Sequence, residues 1–461
     1  MIPLDLSFLG YLHLSRTSRL HDSFVTSLSE HQWETYLKKL DRAGMVFHFL
    51  SRLRLHGDFE ATPPRIQVRL KKNLQDQTDR HLLISREFLE FNRSLQEKKI
   101  RYVCLKGLTA FPDFVDDPIH HIQSDHDFLI YPEDLECANE VFLGLGFEPV
   151  DSHSGRNVDH LPTLVKCSGW RWKGNFYDPE IPRAIELHFR LWDAEFEGIS
   201  IHSLEEVWQN SIVREISGIR IPVLSRQDAL TYAVMHAFRH LLRNDLRLSH
   251  LYELAFFLNR SVHDTAFWNV FGEKLRHCPT SLKVTATMFQ LARHCFEPEV
   301  SPLVLEFVAR YLPPAGQLWI KKFGRKEALS SYRQSKSGLF LQINFTSTRR
   351  EGWLKIWKKL LPQHLPPKYL GIKIPEGQKT ILQRSREGFR FLEQICKRSV
   401  FHACSLLVFV IRLPLWNLSL SRLQGQPEEI RLQQCKGKVG AEGREDFIED
   451  KAAERRSVYR T

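Results

Sequence analysis

The sequence predicts an α+β protein in which a small mixed-sheet core is flanked by helical N-terminal and C-terminal regions. Three observations predict it. Residues 1–98 carry apolar side chains at three- and four-residue intervals, notably in HQWETYLKKLDRAGMVFHFLSRL and IQVRLKKNLQDQTDRHLLISREFLEFNRSLQEKK. Between 99 and 198 the pattern breaks into short β-branched or alternating runs. From Ser203 to about Leu312 the helical spacing returns.

Each element follows in order. IRYVCLKG reads as a strand ending at Gly107, LTAFPDFV as one or two helical turns, and DHDFLIY as a second strand. PEDLECANEVFLGLGF reads as a helix closing at Gly144 or Gly146. RAIELHFRLW alternates strictly and reads as a third strand, with Glu186, His188 and Arg190 on one face. Ser225 followed by Asp228 gives a capping-box-like start to SRQDALTYAVMHAFRHLLR. The expected units are a helical region 1–98, the core 99–198, a helical domain 199–312, a basic, proline-containing helical region 313–425 and a disordered tail 426–461.

A chain of 461 residues exceeds what one hydrophobic core usually serves, and 43% hydrophobic with 26% charged residues is ordinary globular composition. The net charge of +11 is concentrated: from Trp319 to Lys359 there are eleven Lys or Arg against two Glu. That stretch also carries Trp319, Phe323, Tyr332, Phe340, Phe345, Trp353 and Trp357, a composition compatible with single-stranded nucleic acid or with a solvated amphipathic pair. Eight scattered cysteines form no Cys-x-x-Cys pair, which argues against a zinc finger or a disulfide framework. The start MIPLDLSFLGYLHLSRTS lacks a basic n-region and long apolar run, so a cytoplasmic location is expected. The uncharged run SVFHACSLLVFVI, residues 399–411, falls short of the roughly 20 residues a spanning helix needs. It reads as a buried helix, with peripheral membrane contact as the alternative because Lys397, Arg398 and Arg412 flank it.

The chemistry is carried by carboxylates. Asp125 and Asp127 stand two apart in a strand, so both point to one face and repel unless a cation lies between them. A divalent ion, Mg²⁺ or Mn²⁺, is the natural candidate, and Glu186 on a later strand can complete a second metal site or accept a proton. Lys106 and Gly107 end a strand before a helical turn, a place where a phosphate can approach the backbone. Together these parts describe a nucleoside triphosphate site.

The runs LKGLTAF, SDHDFLIYPEDLECANEVFLGLGFEPV, DHLPTLVKCSGW and AIELHFRLW resemble the uncharacterised bacterial nucleotidyltransferase family of the polymerase-β-like superfamily, over roughly residues 95–260. The resemblance implies a nucleotidyltransferase core with Asp125, Asp127 and Glu186 as its metal-binding and catalytic carboxylates. It also implies that Lys106, Gly107, His121 and Ser124 meet the nucleotide. The implied partners are an NTP and an acceptor that is a small molecule, sugar phosphate, peptide or protein, with nucleic acid less favoured. HAFRHLLRNDLRLSHLYELAFFL resembles the family's helical domain, with Glu253 where Asp is common. Three positions depart: His126 replaces Ile, Ser124 replaces Gly, and His121 stands where Arg is expected. A permanent charge thereby becomes a titratable one.

Weaker candidates for the substrate side are His160, His188, His236 and His240. His236 and His240 have the i, i+4 spacing of a zinc pair, but no Glu follows His236, and a cleft-facing or core role is the expected one. Two further readings stand beside the enzyme. One is a catalytically inactive nucleotide-sensing or scaffold protein with the same fold, and the other is RNA binding through residues 319–359.

Overall fold

The computed structural model describes residues 9–14, 22–150, 159–166, 168–329, 336–346, 350, 352, 353, 357 and 381–425. Helices α1 (Glu30–Ala43), α2 (Val46–Leu55) and α3 (Pro64–Glu97) form the N-terminal part. Ser29 caps α1 through a reciprocal box with Gln32, and Gly44 ends it in the left-handed conformation.

One mixed sheet of seven strands follows: β1 (Tyr102–Cys104), β2 (Asp125–Ile130), β3 (Phe147–Pro149), β4 (Leu164–Lys166), β5 (Ala184–His188), β6 (Ile212–Ile216) and β7 (Ile219–Val223). Their order is β3-β4-β5-β2-β1-β7-β6, which makes β2 the central strand. Helix α4 (Leu135–Gly144) leaves β2 and ends at Gly144. Strand β5, the run RAIELHFRLW of the sequence, stops at His188, so Arg190 lies beyond it and pairs with Asp193 instead of extending the polar face.

Residues 212–223 differ from the expectation of helix throughout 203–312. They form a β6–β7 hairpin, and β7 pairs in parallel with β1, so the sheet continues past residue 198. The turn is Ser217-Gly218 with φ of 49° and 78°, the two positive values that match the twist of a tight hairpin.

The two sheet faces do different work. His126, Phe128 and Ile130 of β2 and Ile185 and Leu187 of β5 pack toward Phe88, Phe91 and Leu95 of α3 and Phe142 of α4. The opposite face carries Asp125, Asp127, Glu186 and His188 and looks toward α5 (Arg226–Arg243) and α6 (Leu248–Arg260). These helices join α7 (Thr265–Leu275), α8 (Pro279–Phe296) and α9 (Pro302–Tyr311) in a second core, which also takes in α1 and α2.

In the basic segment Trp319, Phe340 and Phe345 are buried in that core, so they are not a surface ladder for stacking bases. Tyr332 and most of residues 347–380, including the proline-rich crossing, lie outside the described residues, as does the tail expected to be disordered. Residues 399–411 belong to a longer helix, α10 (Ile381–Gln424), that is not buried. Only one face of it packs, through Phe409, Trp416 and Leu420, while Val400, Leu407 and Ile411 are more than half exposed. By length and composition this helix is apolar enough to cross a membrane, because a single arginine interrupts a stretch longer than the uncharged run alone.

Candidate functional site

Strand register builds the site. β2 and β5 run parallel with Asp127 opposite Glu186 and Asp125 opposite Ala184, so three carboxylates share one patch of sheet. The Asp127 side chain is 1% exposed, while those of Asp125 and Glu186 are 29% and 25% exposed. The patch is therefore a cleft with a closed floor and an open rim. Burial of several negative charges costs heavily unless cations compensate.

Two side chains of the protein supply that compensation. The Lys106 ammonium lies 3.3 Å from Asp127 Oδ2 and 4.0 Å from Asp125 Oδ2. Burial opposes its charge, but Asp125 and Asp127 outweigh burial and hold its pKa above the ordinary lysine value. His188 Nε2 sits 3.2 Å from Asp127 Oδ1 and 3.5 Å from Glu186 Oε2. Burial again works against the cation, yet hydrogen bonds to Asp127 and Glu186 push this imidazole up to about 9. Burial alone would raise Glu186, and the His188 contact reverses the sign, leaving it below the usual carboxylate value.

Gly107 follows Lys106 at φ 72°, a conformation that disfavours a side chain. A Cβ there would meet the Gln123 carboxamide at 2.5–2.7 Å. Gln123 Nε2 donates at 2.6 Å to the Asp125 carbonyl. The glycine thus lets the turn close on the residue that braces the start of β2. Ser124 is exposed just before β2, and its carbonyl accepts from the Ala184 amide.

His121 faces Glu253 of α6, with Nδ1 2.9 Å from Oε1. Burial lowers its pKa, but the Glu253 charge and hydrogen bond prevail and raise it. The two family departures at 121 and 253 are therefore partners. His126 lies on the other face of β2, between Phe88 and Phe91 and 3.5 Å from Glu87, so that departure belongs to the core and not to the cleft.

The remaining histidines line the cleft wall. His160 bridges to His188 with ring centroids 5.3 Å apart. His236 Nε2 lies 3.5 Å from Lys106 Nζ and 3.1 Å from His240 Nε2. His250, which the helical spacing did not single out, completes a group whose ligating atoms all lie within 4.8 Å. Burial holds all three imidazoles below their ordinary pKa, and the Lys106 charge deepens the effect. That same ammonium opposes a dication there, so the group reads as a neutral wall for the lysine.

Behind His188, Asp159 forms a buried ion pair with Arg239 of α5. Neither residue stands out in the sequence, because a lone Asp in a loop and a lone Arg in a helix have no diagnostic spacing. Only the fold joins them across 80 residues.

A family model described as "Uncharacterised nucleotidyltransferase" matches residues 29–297, which include every element of this cleft. No curated protein and no solved structure matches the chain.

Proposed function

Because this chain belongs to the uncharacterised nucleotidyltransferase family, we propose that its cleft moves a nucleotidyl group from an NTP, with Mg²⁺ or Mn²⁺, to a hydroxyl or phosphate group of an acceptor, whose oxygen bonds the α-phosphorus as the α–β phosphoanhydride breaks and pyrophosphate leaves. Membership supports the general transferase class. The observation that carries the residue assignments is the β2–β5 register, which sets Asp127 opposite Glu186 with Asp125 on the same face.

The donor set fits a hard divalent ion. Its ligands are carboxylate oxygens, and Asp127 Oδ2, although buried, makes no hydrogen bond among the described residues. Asp125 and Asp127 would hold the ion, with Glu186 able to share it. A bound divalent ion would supply charge neutralisation for the triphosphate. Glu186 would take the proton of an acceptor hydroxyl, a role supported by its position at the rim and by the His188 contact that holds its carboxyl below the usual range. Lys106 would turn from the aspartates toward phosphate oxygens, and His121, whose pKa the Glu253 charge raises, would add a second positive group when protonated. His188 fixes the orientation of Asp127 and Glu186.

The test is incubation of the full chain with each labelled NTP and Mg²⁺ in cell extract. A labelled adduct that requires Mg²⁺ and is lost in the Asp125→Asn/Asp127→Asn variant is the expected result. Absence of any metal-dependent turnover would overturn it. A nucleotide-sensing protein without turnover is a second reading, favoured by the charge balance that Lys106 and His188 already give the carboxylates. Nucleotide binding by calorimetry with no product would select that reading.

A further inference from the structure

Among the described residues, helix α10 carries a long apolar surface that the cleft does not account for. Its inner face is fixed: Phe409 and Trp416 lie 4.8 and 5.0 Å from the Phe340 ring, and Trp416 lies 6.3 Å from Phe323. On the outer face Val400, Leu407, Val408, Ile411, Leu415 and Leu418 are 46–63% exposed. Residues 399–421 hold a single charged side chain, Arg412, and extend for roughly 33 Å at the α-helical rise. Soluble surfaces rarely leave so long an apolar strip in water, and such strips mark interaction sites.

Charge selects the occupant. No acidic residue occurs between Glu393 and Glu428, whereas Arg398, Arg412 and Arg422 do, together with Lys397, which pairs with Glu393. Lys336 lies beside the helix, with Nζ 2.7 Å from His402 Nδ1. Two copies packed in parallel through this strip would bring Arg412 into an apolar contact with its counterpart, the nearest carboxylate of its own helix, Glu393, being nineteen residues away along the chain. At a lipid surface the same arginine can reach the phosphate layer while its stem stays apolar. Docking also decides between lying on a bilayer and crossing it. A crossing would carry the Trp416 part of the strip, and with it exposed Lys321 and Lys322 next to Phe323, into the hydrocarbon layer.

From the exposed apolar strip and the cations Arg398, Arg412 and Arg422 along a span of the helix that carries no carboxylate, we infer that α10 seats this protein on anionic lipid, lying in the plane of the interface with its outer face among the acyl chain ends. The inference is independent of the nucleotide chemistry.

Flotation of the full chain with vesicles of phosphatidylcholine alone, or with about one third phosphatidylglycerol, tests it. The protein is expected to float with the anionic vesicles, several-fold less with the neutral ones, and less at high salt. Leu407→Asp/Ile411→Asp should cut partition at least tenfold with unchanged circular dichroism and thermal unfolding, since both side chains are exposed. Arg412→Glu should mainly reduce the preference for anionic lipid. The proposal is overturned by failure to float, by flotation that survives the double substitution, or by equal partition on both vesicles. It is also overturned if light scattering shows a dimer that the double substitution converts to monomer.

Discussion

Asp127 and Glu186 face each other across adjacent strands, and their environments differ. Asp127 is closed in and braced by Lys106 and His188, while Glu186 stays open at the rim. Glu186→Gln should therefore lower kcat by on the order of a hundredfold while changing NTP Kd little, because a proton acceptor acts as the transition state forms. Parallel loss of both in steady-state and binding measurements would make Glu186 a binding residue. His121 is the other decisive side chain. Its pKa is raised above the ordinary 6.5 by Glu253, so its charge and any phosphate contact are complete below that value and fade as pH rises through the raised one. NTP affinity measured at saturating Mg²⁺ should fall over that window. His121→Arg should flatten the curve, and Glu253→Gln should move its midpoint to lower pH. A wild-type curve unaffected by either substitution would leave His121 as a bystander.

At the scale of elements, the turn after β1 depends on Gly107. Gly107→Ala should cost about 1–2 kcal/mol for the left-handed backbone, plus the displacement of Gln123. Denaturant unfolding of Gly107→Ala with and without Gln123→Ala separates the two: the second change relieves the steric part and leaves the backbone part. A fully restored stability would show that sterics alone demanded glycine. The same elements show what the sequence made legible. β2 and β5 were readable because alternation and two same-face carboxylates are local signals, and the Ser225 cap was readable because N-cap chemistry is local. The β6–β7 hairpin was not, since Ser-Gly is a weak turn signal and Arg214, Glu215 and Arg220 make its strands look like a polar helix surface. Pairings such as His121 with Glu253 and Asp159 with Arg239 arise from tertiary approach, for which no spacing rule exists.

Across the whole molecule, α10 is tied to the rest along one face, through Phe409, Trp416, Leu420 and the His402 contact with Lys336, whereas the central strands β1, β2 and β5 are largely buried. Trp416 is 3% exposed and stacks over Phe340 and Phe323. Trp416→Ala should weaken that docking by about 3–5 kcal/mol. Proteolysis within 381–425 should become faster while residues of the nucleotidyltransferase core resist as before. Equal loss of protection in both regions would mean that α10 and the core unfold as one unit.

The central place of β2 carries a consequence in time. β2 is hydrogen-bonded along both edges, to β1 on one side and β5 on the other, and its buried face is sealed by α3. Its amides, and those of Leu187 beside it, should be among the last in the chain to exchange with deuterium, since nothing short of opening the sheet frees them. The aspartates are thus mounted on the part of the protein that opens most rarely. On the proposed function, a nucleotide would be admitted by movement of the walls, the turn around Gly107 and the helices that carry His236 and Glu253, while the floor keeps its shape from one encounter to the next.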